Sequence, residues 1–115
     1  MTIPSEHNEQ VNFVNWLEYN YPDYKLFAVP NGGKRNIVTA KKLKAEGVKP
    51  GVPDIVIPKL FLYIEMKKQK GGAVSKEQRE WIEYLQGCGY TAEVCRGFEE
   101  AKTLFLITLN KSKKQ

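Results

Sequence analysis

Histidine is almost missing from this chain, and its two cysteines are poorly spaced for a metal. His7 stands alone, and Cys88 and Cys95 form no CxxC pair. A structural zinc site needs four such ligands in a recognisable spacing, so none is expected, and two reduced thiols are the default. A single histidine also leaves no pair for metal-free ribonuclease chemistry. No apolar run reaches the roughly eighteen residues of a membrane span. The polar stretch from Met1 to Gln10 lacks a signal-peptide pattern, so a cytoplasmic protein with no membrane contact is expected. Internal repeats and linkers are absent. The 115 residues therefore read as one domain over 1–110 with a frayed basic tail over 111–115.

Acidic residues are outnumbered. Lys and Arg total 18 against 13 Asp and Glu, a net charge of +5, which favours a polyanionic partner over a small-molecule substrate. The cations are clustered: Lys34, Arg35, Lys41, Lys42, Lys44 and Lys49 in one group, then Lys67, Lys68 and Lys70, then Lys111, Lys113 and Lys114.

Hydrophobic periodicity gives the element order αβαββαβα. Ser5 to Tyr19 reads as an amphipathic helix capped by Ser5, with Phe13, Val14 and Leu17 inward and Trp16 on a flank. Glu6 and Gln10 fall on the side of Phe13 and Leu17. Tyr24 to Val29 alternates as a strand, Pro30 to Gly33 is a turn, and Thr39 to Glu46 is a short helix stopped by Gly47. Ile55 to Ile57 and Leu60 to Ile64 are β-branched or aromatic runs joined by a tight Pro58-Lys59 turn. Ser75 to Gln86 is a helix whose Ser75 and Gln78 match a capping box. Tyr90 to Cys95 is a strand, and a last helix runs from Phe98 to about Leu106.

The chemistry concentrates around Pro53-Asp54 and Glu65-Met66-Lys67. Side chains alternate along a strand, so Glu65 and Lys67 share one face with Phe61 and Tyr63, while Leu62, Ile64 and Met66 take the other. Asp54 opens the neighbouring strand. Two carboxylates can hold Mg²⁺ or Mn²⁺ through oxygen, and an ammonium can sit beside the attacking water of a phosphodiester hydrolysis. The same residues can also be a solvated cross-strand ion set. Lys67 is expected to be exposed, so its replacement by Ala should spare the fold.

Four stretches, in this order and spacing, resemble the VRR-NUC (virus-type replication-repair nuclease) family of PD-(D/E)xK nucleases, in its stand-alone phage or bacterial form. They are Glu6 to Gln10; Pro30-Asn31-Gly32-Gly33-Lys34-Arg35; Gly47 to Ile55 with Pro53-Asp54; and Ile64-Glu65-Met66-Lys67 with Ser75 to Gln78. The resemblance implies a restriction-endonuclease-like α/β fold, a small mixed sheet flanked by helices. It also implies a divalent-metal site of Asp54, Glu65, the Met66 carbonyl and a helix-one acid. Glu6 has the family spacing to Gln10, and Glu9 is the fallback. Lys67 would orient or deprotonate water or stabilise charge, and Gln78 would lie near the scissile phosphate. The loop Asn31, Gly32, Gly33, Lys34 and Arg35, with Lys41 and Lys68, is assigned to DNA contact.

The activity implied is metal-dependent, structure-selective DNA endonuclease action on branched DNA. A domain this small suits a homodimer on a four-way junction, paired through the last helix (Phe98, Leu104, Phe105) or the first (Trp16, Tyr19). A non-catalytic nucleic-acid-binding module and a flap or restriction-type nuclease are the alternatives.

Overall fold

The computed structural model describes residues 2–30 and 37–114. Its centre is the pair of apolar runs that flank the Pro58 turn. Ile55–Ile57 forms β2 and Leu62–Lys67 forms β3, paired antiparallel with Ile55 opposite Ile64 and Ile57 opposite Leu62. Pro58, with its φ preset for a helical turn, opens a one-turn 3₁₀ segment to Leu60, and Phe61 N–H closes it on the Pro58 carbonyl at 3.0 Å. Phe61 then leaves at φ 52°. A left-handed phenylalanine costs on the order of 1 kcal/mol, and its ring stacks on Tyr90 with centroids 6.1 Å apart.

Four strands line up as β1-β2-β3-β4. On one side β1 is only Phe27–Ala28, shorter than the alternation from Tyr24 to Val29 predicts, and pairs antiparallel to β2. On the other, β4 (Thr91–Arg96) runs parallel to β3 in a register that sets Arg96 beside Lys67. The sheet is therefore mixed, and the βαβ crossover between its parallel strands is α3 (Lys76–Gly87).

The two sheet faces are covered separately. Leu62, Ile64 and Met66, all fully buried, meet Phe13 and Leu17 of α1 (Glu6–Asn20) and Ala101, Phe105 and Leu109 of α4 (Phe98–Lys113). Burying each large aliphatic side chain contributes about 1.5–3 kcal/mol. Trp16, Tyr21, Tyr24 and Phe98 crowd Phe105 at this seam. The opposite face is smaller: Ile82 and Leu85 of α3 pack on Ala92, with Tyr63, Trp81 and Val94 around them.

Two helices depart from expectation. α4 continues through Lys113, so the basic tail is helical where fraying was expected. Leu109 carries the stripe Ala101–Phe105 one turn further and holds those last turns down. α2 (Ile37–Ala45) starts earlier than Thr39 and buries none of its residues. No described helix is long and apolar enough to cross a membrane.

Candidate active site

Strand alternation delivers Glu65 and Lys67 to the face of β3 opposite the main core. Pro53, fully buried, fixes the approach to β2 and sets Asp54 at its start, where Val29 N–H donates to the Asp54 carbonyl at 2.7 Å. The Asp54 carboxylate crosses to β3 and accepts the Met66 N–H through Oδ2 at 2.8 Å. The Met66 side chain is fully buried, as expected, while its main chain lies beside the acids.

Glu65 is 2% exposed. Its Oε2 accepts a long 3.3 Å hydrogen bond from Gln78 Nε2, and its Oε1 is buried and receives no hydrogen bond from any donor among the described residues. Burial, then a hydrogen bond and charge repulsion from Asp54, push its carboxyl up to about 9. Lys67 pulls it down, and Glu6 adds a weaker upward push. Lys67 is itself only 9% exposed, which corrects the expectation of a solvent-facing lysine. The Lys67 side chain is therefore largely enclosed rather than wet.

Gln78 does two jobs with one amide. Its Oε1 accepts Ser75 N–H at 2.9 Å while Ser75 Oγ accepts Gln78 N–H at 3.1 Å, the reciprocal capping box. The amide nitrogen is thereby left facing Glu65. Gly51 makes the approach possible: a Cβ there would lie 2.5 Å from the Glu77 carbonyl carbon and 2.7 Å from Gln78 N, at φ +88°. Only glycine lets the segment leading to Asp54 lie against the start of α3.

The two helix-one acids part company. Glu6 is exposed in the first turn and close enough to act on Glu65 by charge. Glu9, not the Glu6–Gln10 side, completes the buried stripe of Phe13 and Leu17. At 2% exposure its oxygens are committed, Oε2 to Gln69 Nε2 at 2.8 Å and Oε1 to Phe98 N–H at 2.9 Å. With these bonds it joins α1, the loop after β3 and the start of α4. This latch went unread in the sequence, where only the i, i+4, i+8 spacing of Glu9, Phe13 and Leu17 pointed to it. Lys41 and Lys68 are exposed. The loop Asn31, Gly32, Gly33, Lys34 and Arg35 lies outside the described residues.

A mixed sheet with an aspartate entering one strand, Glu-x-Lys on its antiparallel neighbour and helices on both faces defines the PD-(D/E)xK type of nuclease. The VRR-NUC domain profile matches residues 1–99, and the chain belongs to that family. A solved VRR_NUC domain protein shares the fold with a TM-score of 0.80 and 26% sequence identity, over 96% of this chain and 92% of that one. No protein with a curated description matches.

Nucleases of this type generally use divalent metals, and the residues present fit such an ion. Both acids offer hard oxygen donors. The unpartnered Oε1 of Glu65 is an acceptor without a donor, and the raised carboxyl marks a carboxylate pair short of positive charge. Among the described residues no group of three or more His, Cys, Asp or Glu side chains is placed to hold a metal. Beyond Asp54 and Glu65, further oxygens would come from the main chain, from Glu6 or from substrate and water.

Proposed function

We propose that this protein is a divalent-metal-dependent, structure-selective DNA endonuclease that hydrolyses phosphodiester bonds in branched DNA, with four-way junctions cut by a homodimer. The observation that carries the chemistry is the buried, unpartnered Oε1 of Glu65 beside Asp54 and Lys67. Asp54 and Glu65, with the Met66 carbonyl and Glu6, would hold Mg²⁺ or Mn²⁺. The bound ion supplies charge against the phosphate and acidifies the attacking water.

The chain's own residues supply the rest. Asp54, tied to Met66 N–H, keeps its carboxylate in register with β3. Gln78 holds Glu65 from the far side. Lys67, enclosed and on the same face as Glu65, orients the water or stabilises charge building on the phosphate. The cationic surface, including Lys41 and Lys68, holds the DNA backbone without reading bases.

A second copy is supported by α2, whose Ile37 and Val38 are 74% and 76% exposed on a helix that buries nothing. The helices first considered for pairing are less available: Phe105 is fully buried and Trp16, Phe98 and Leu104 pack on the core, leaving Tyr19 exposed. The test is cleavage of end-labelled four-way junction, flap and linear duplex with Mg²⁺ or Mn²⁺. Paired, symmetric junction cuts are expected. Single cuts near a flap would remove the dimer, and no cleavage of any substrate would leave a binding module.

A further inference from the structure

Beyond Lys67 the chain makes a short loop before α3, and its sequence Lys68-Gln69-Lys70-Gly71-Gly72 is unusually well pinned. Arg96, next to Lys67 in the β3–β4 register and on the same sheet face, reaches over it. Its Nη1 donates to the carbonyls of Lys68 at 3.4 Å and Gly71 at 2.7 Å, and its Nη2 to Gly72 at 3.0 Å. Gln69 is fixed separately by buried Glu9. Both glycines sit at positive φ, 81° and 69°, which lets the loop fold back so tightly.

Between the loop and Arg96 lies an open depression of about 390 Å³, lined by Gln69, Lys70, Gly71, Gly72, Ala73 and Arg96. The Lys68 ammonium lies beside its rim at Gly71, where a Cβ would be 3.7 Å from Lys68 Nζ. Lys70 and Arg96 line the depression and Lys68 borders it. Two carboxylates border this corner, each turned to neutral donors, Glu9 to Gln69 and Phe98 N–H and Glu100 to the Arg96 N–H, and none lines the depression itself. Arg96 satisfies three carbonyl oxygens that would otherwise repel an anion, and among the described residues two of its five N–H donors have no acceptor.

We infer that this depression is a second phosphate subsite, in which Lys68, Lys70 and Arg96 hold a backbone phosphate of the DNA strand flanking the one being cut. It rests on the nuclease reading and adds to it a site that neither the acid pair nor the glycine loop before α2 contains. A phosphate anchored one sheet position from Lys67 fixes the strand's path across the acids, so the subsite sets affinity and register rather than the chemical step. Arg96 has a second part, since it also shapes the loop that carries both lysines.

Neutral methylphosphonate placed singly at each phosphate around the cut tests this, in a DNA that the wild-type protein cleaves. One flanking position should raise KM by ~5–10-fold with kcat nearly unchanged. In Lys70→Ala that position should lose most of its effect, and the slope of log affinity against log salt should fall by about one. Arg96→Gln, which removes the charge, should likewise abolish most of that position's effect. Lys70 is exposed, so its variant should melt as wild type does. Cleavage by the wild type with equal methylphosphonate effects in wild type and variants overturns the subsite alone. No cleavage by the wild type in Mg²⁺ or Mn²⁺ takes down the nuclease reading with it.

Discussion

Replacing Glu65 by Gln should stabilise the metal-free protein while removing cleavage. In the folded chain the Glu65 carboxyl is raised to about 9 from 4.5, first by burial and then by Asp54. A raised acid binds its proton more tightly when folded. Its stabilising contribution is therefore complete below the unfolded value of 4.5 and drains away as pH climbs toward 9. The limiting slope is about 1.4 kcal/mol per pH unit, and some water entry softens it. Between about pH 6 and pH 8 the loss should reach roughly 1.5–3 kcal/mol, or about 6–12 °C in Tm for a domain of this size. Gln mimics the protonated acid, keeps an oxygen for Gln78 and can donate to Asp54, so the slope should vanish. The assay is calorimetry or circular dichroism in EDTA at several pH values, repeated with excess Mn²⁺. Wild type should regain stability in Mn²⁺ at about pH 8, and the variant should not. A wild-type Tm that is flat or rising over this range, or a Glu65→Gln protein that melts lower at about pH 8, would refute the reasoning.

Four further outcomes follow from the same geometry. Glu9→Ala should cost about 2–4 kcal/mol by denaturant titration, since it strands Phe98 N–H and Gln69, whereas Glu6→Ala should leave stability within about 0.5 kcal/mol. Gln78→Glu keeps a capping-box residue but sets a third carboxylate against Glu65. Its melting should fall by no more than about 1 kcal/mol in equivalent stability while activity drops at least ~10-fold. Gly51→Ala must push α3 away from the lead into Asp54, and a stability loss of about 2 kcal/mol with at least a ~10-fold fall in kcat/KM is expected; full activity would show that α3 does not position Gln78. Thiol titration should find one accessible cysteine in the native protein, Cys88, and two after denaturation, because Cys95 is buried with its thiol pushed up to about 12 by desolvation.

The sequence exposed what depends on local pattern. Alternation in Leu62–Lys67 put Glu65 and Lys67 opposite Met66, and the Ser75–Gln78 spacing read as a capping box; the structure has both. Asp54 meeting β3 followed from two short runs around a proline turn. What depended on distant partners was hidden. Apart from its four-residue spacing to Phe13 and Leu17, nothing near Glu9 distinguishes it from Glu6, because its partners lie at Gln69 and Phe98. Lys67 read as wet because strand alternation says which face it takes, not how far that face is covered in the fold. β1 shrank because Tyr24 and Leu26 turn into the seam with Phe105 instead of continuing the ladder. The three-residue stripe Ala101, Phe105 and Leu109 carries α4 past Leu106, where the sequence reading ended it at the approach of the basic residues.

The Glu9 latch also bears on when the protein can become active. Its two hydrogen bonds close sequence separations of 60 and 89 residues, among the longest loops a chain of this length can close. Long-range closures carry the largest entropy cost and are slow to form. The corner that orders the loop beyond Lys67 is thus completed only after α4 has begun to dock. A chain still emerging from the ribosome holds Asp54, Glu65 and Lys67 long before it holds Phe98. Until the last helix arrives, it carries Asp54, Glu65 and Lys67 without the assembled Glu9 corner that fixes Gln69 in the loop beside them.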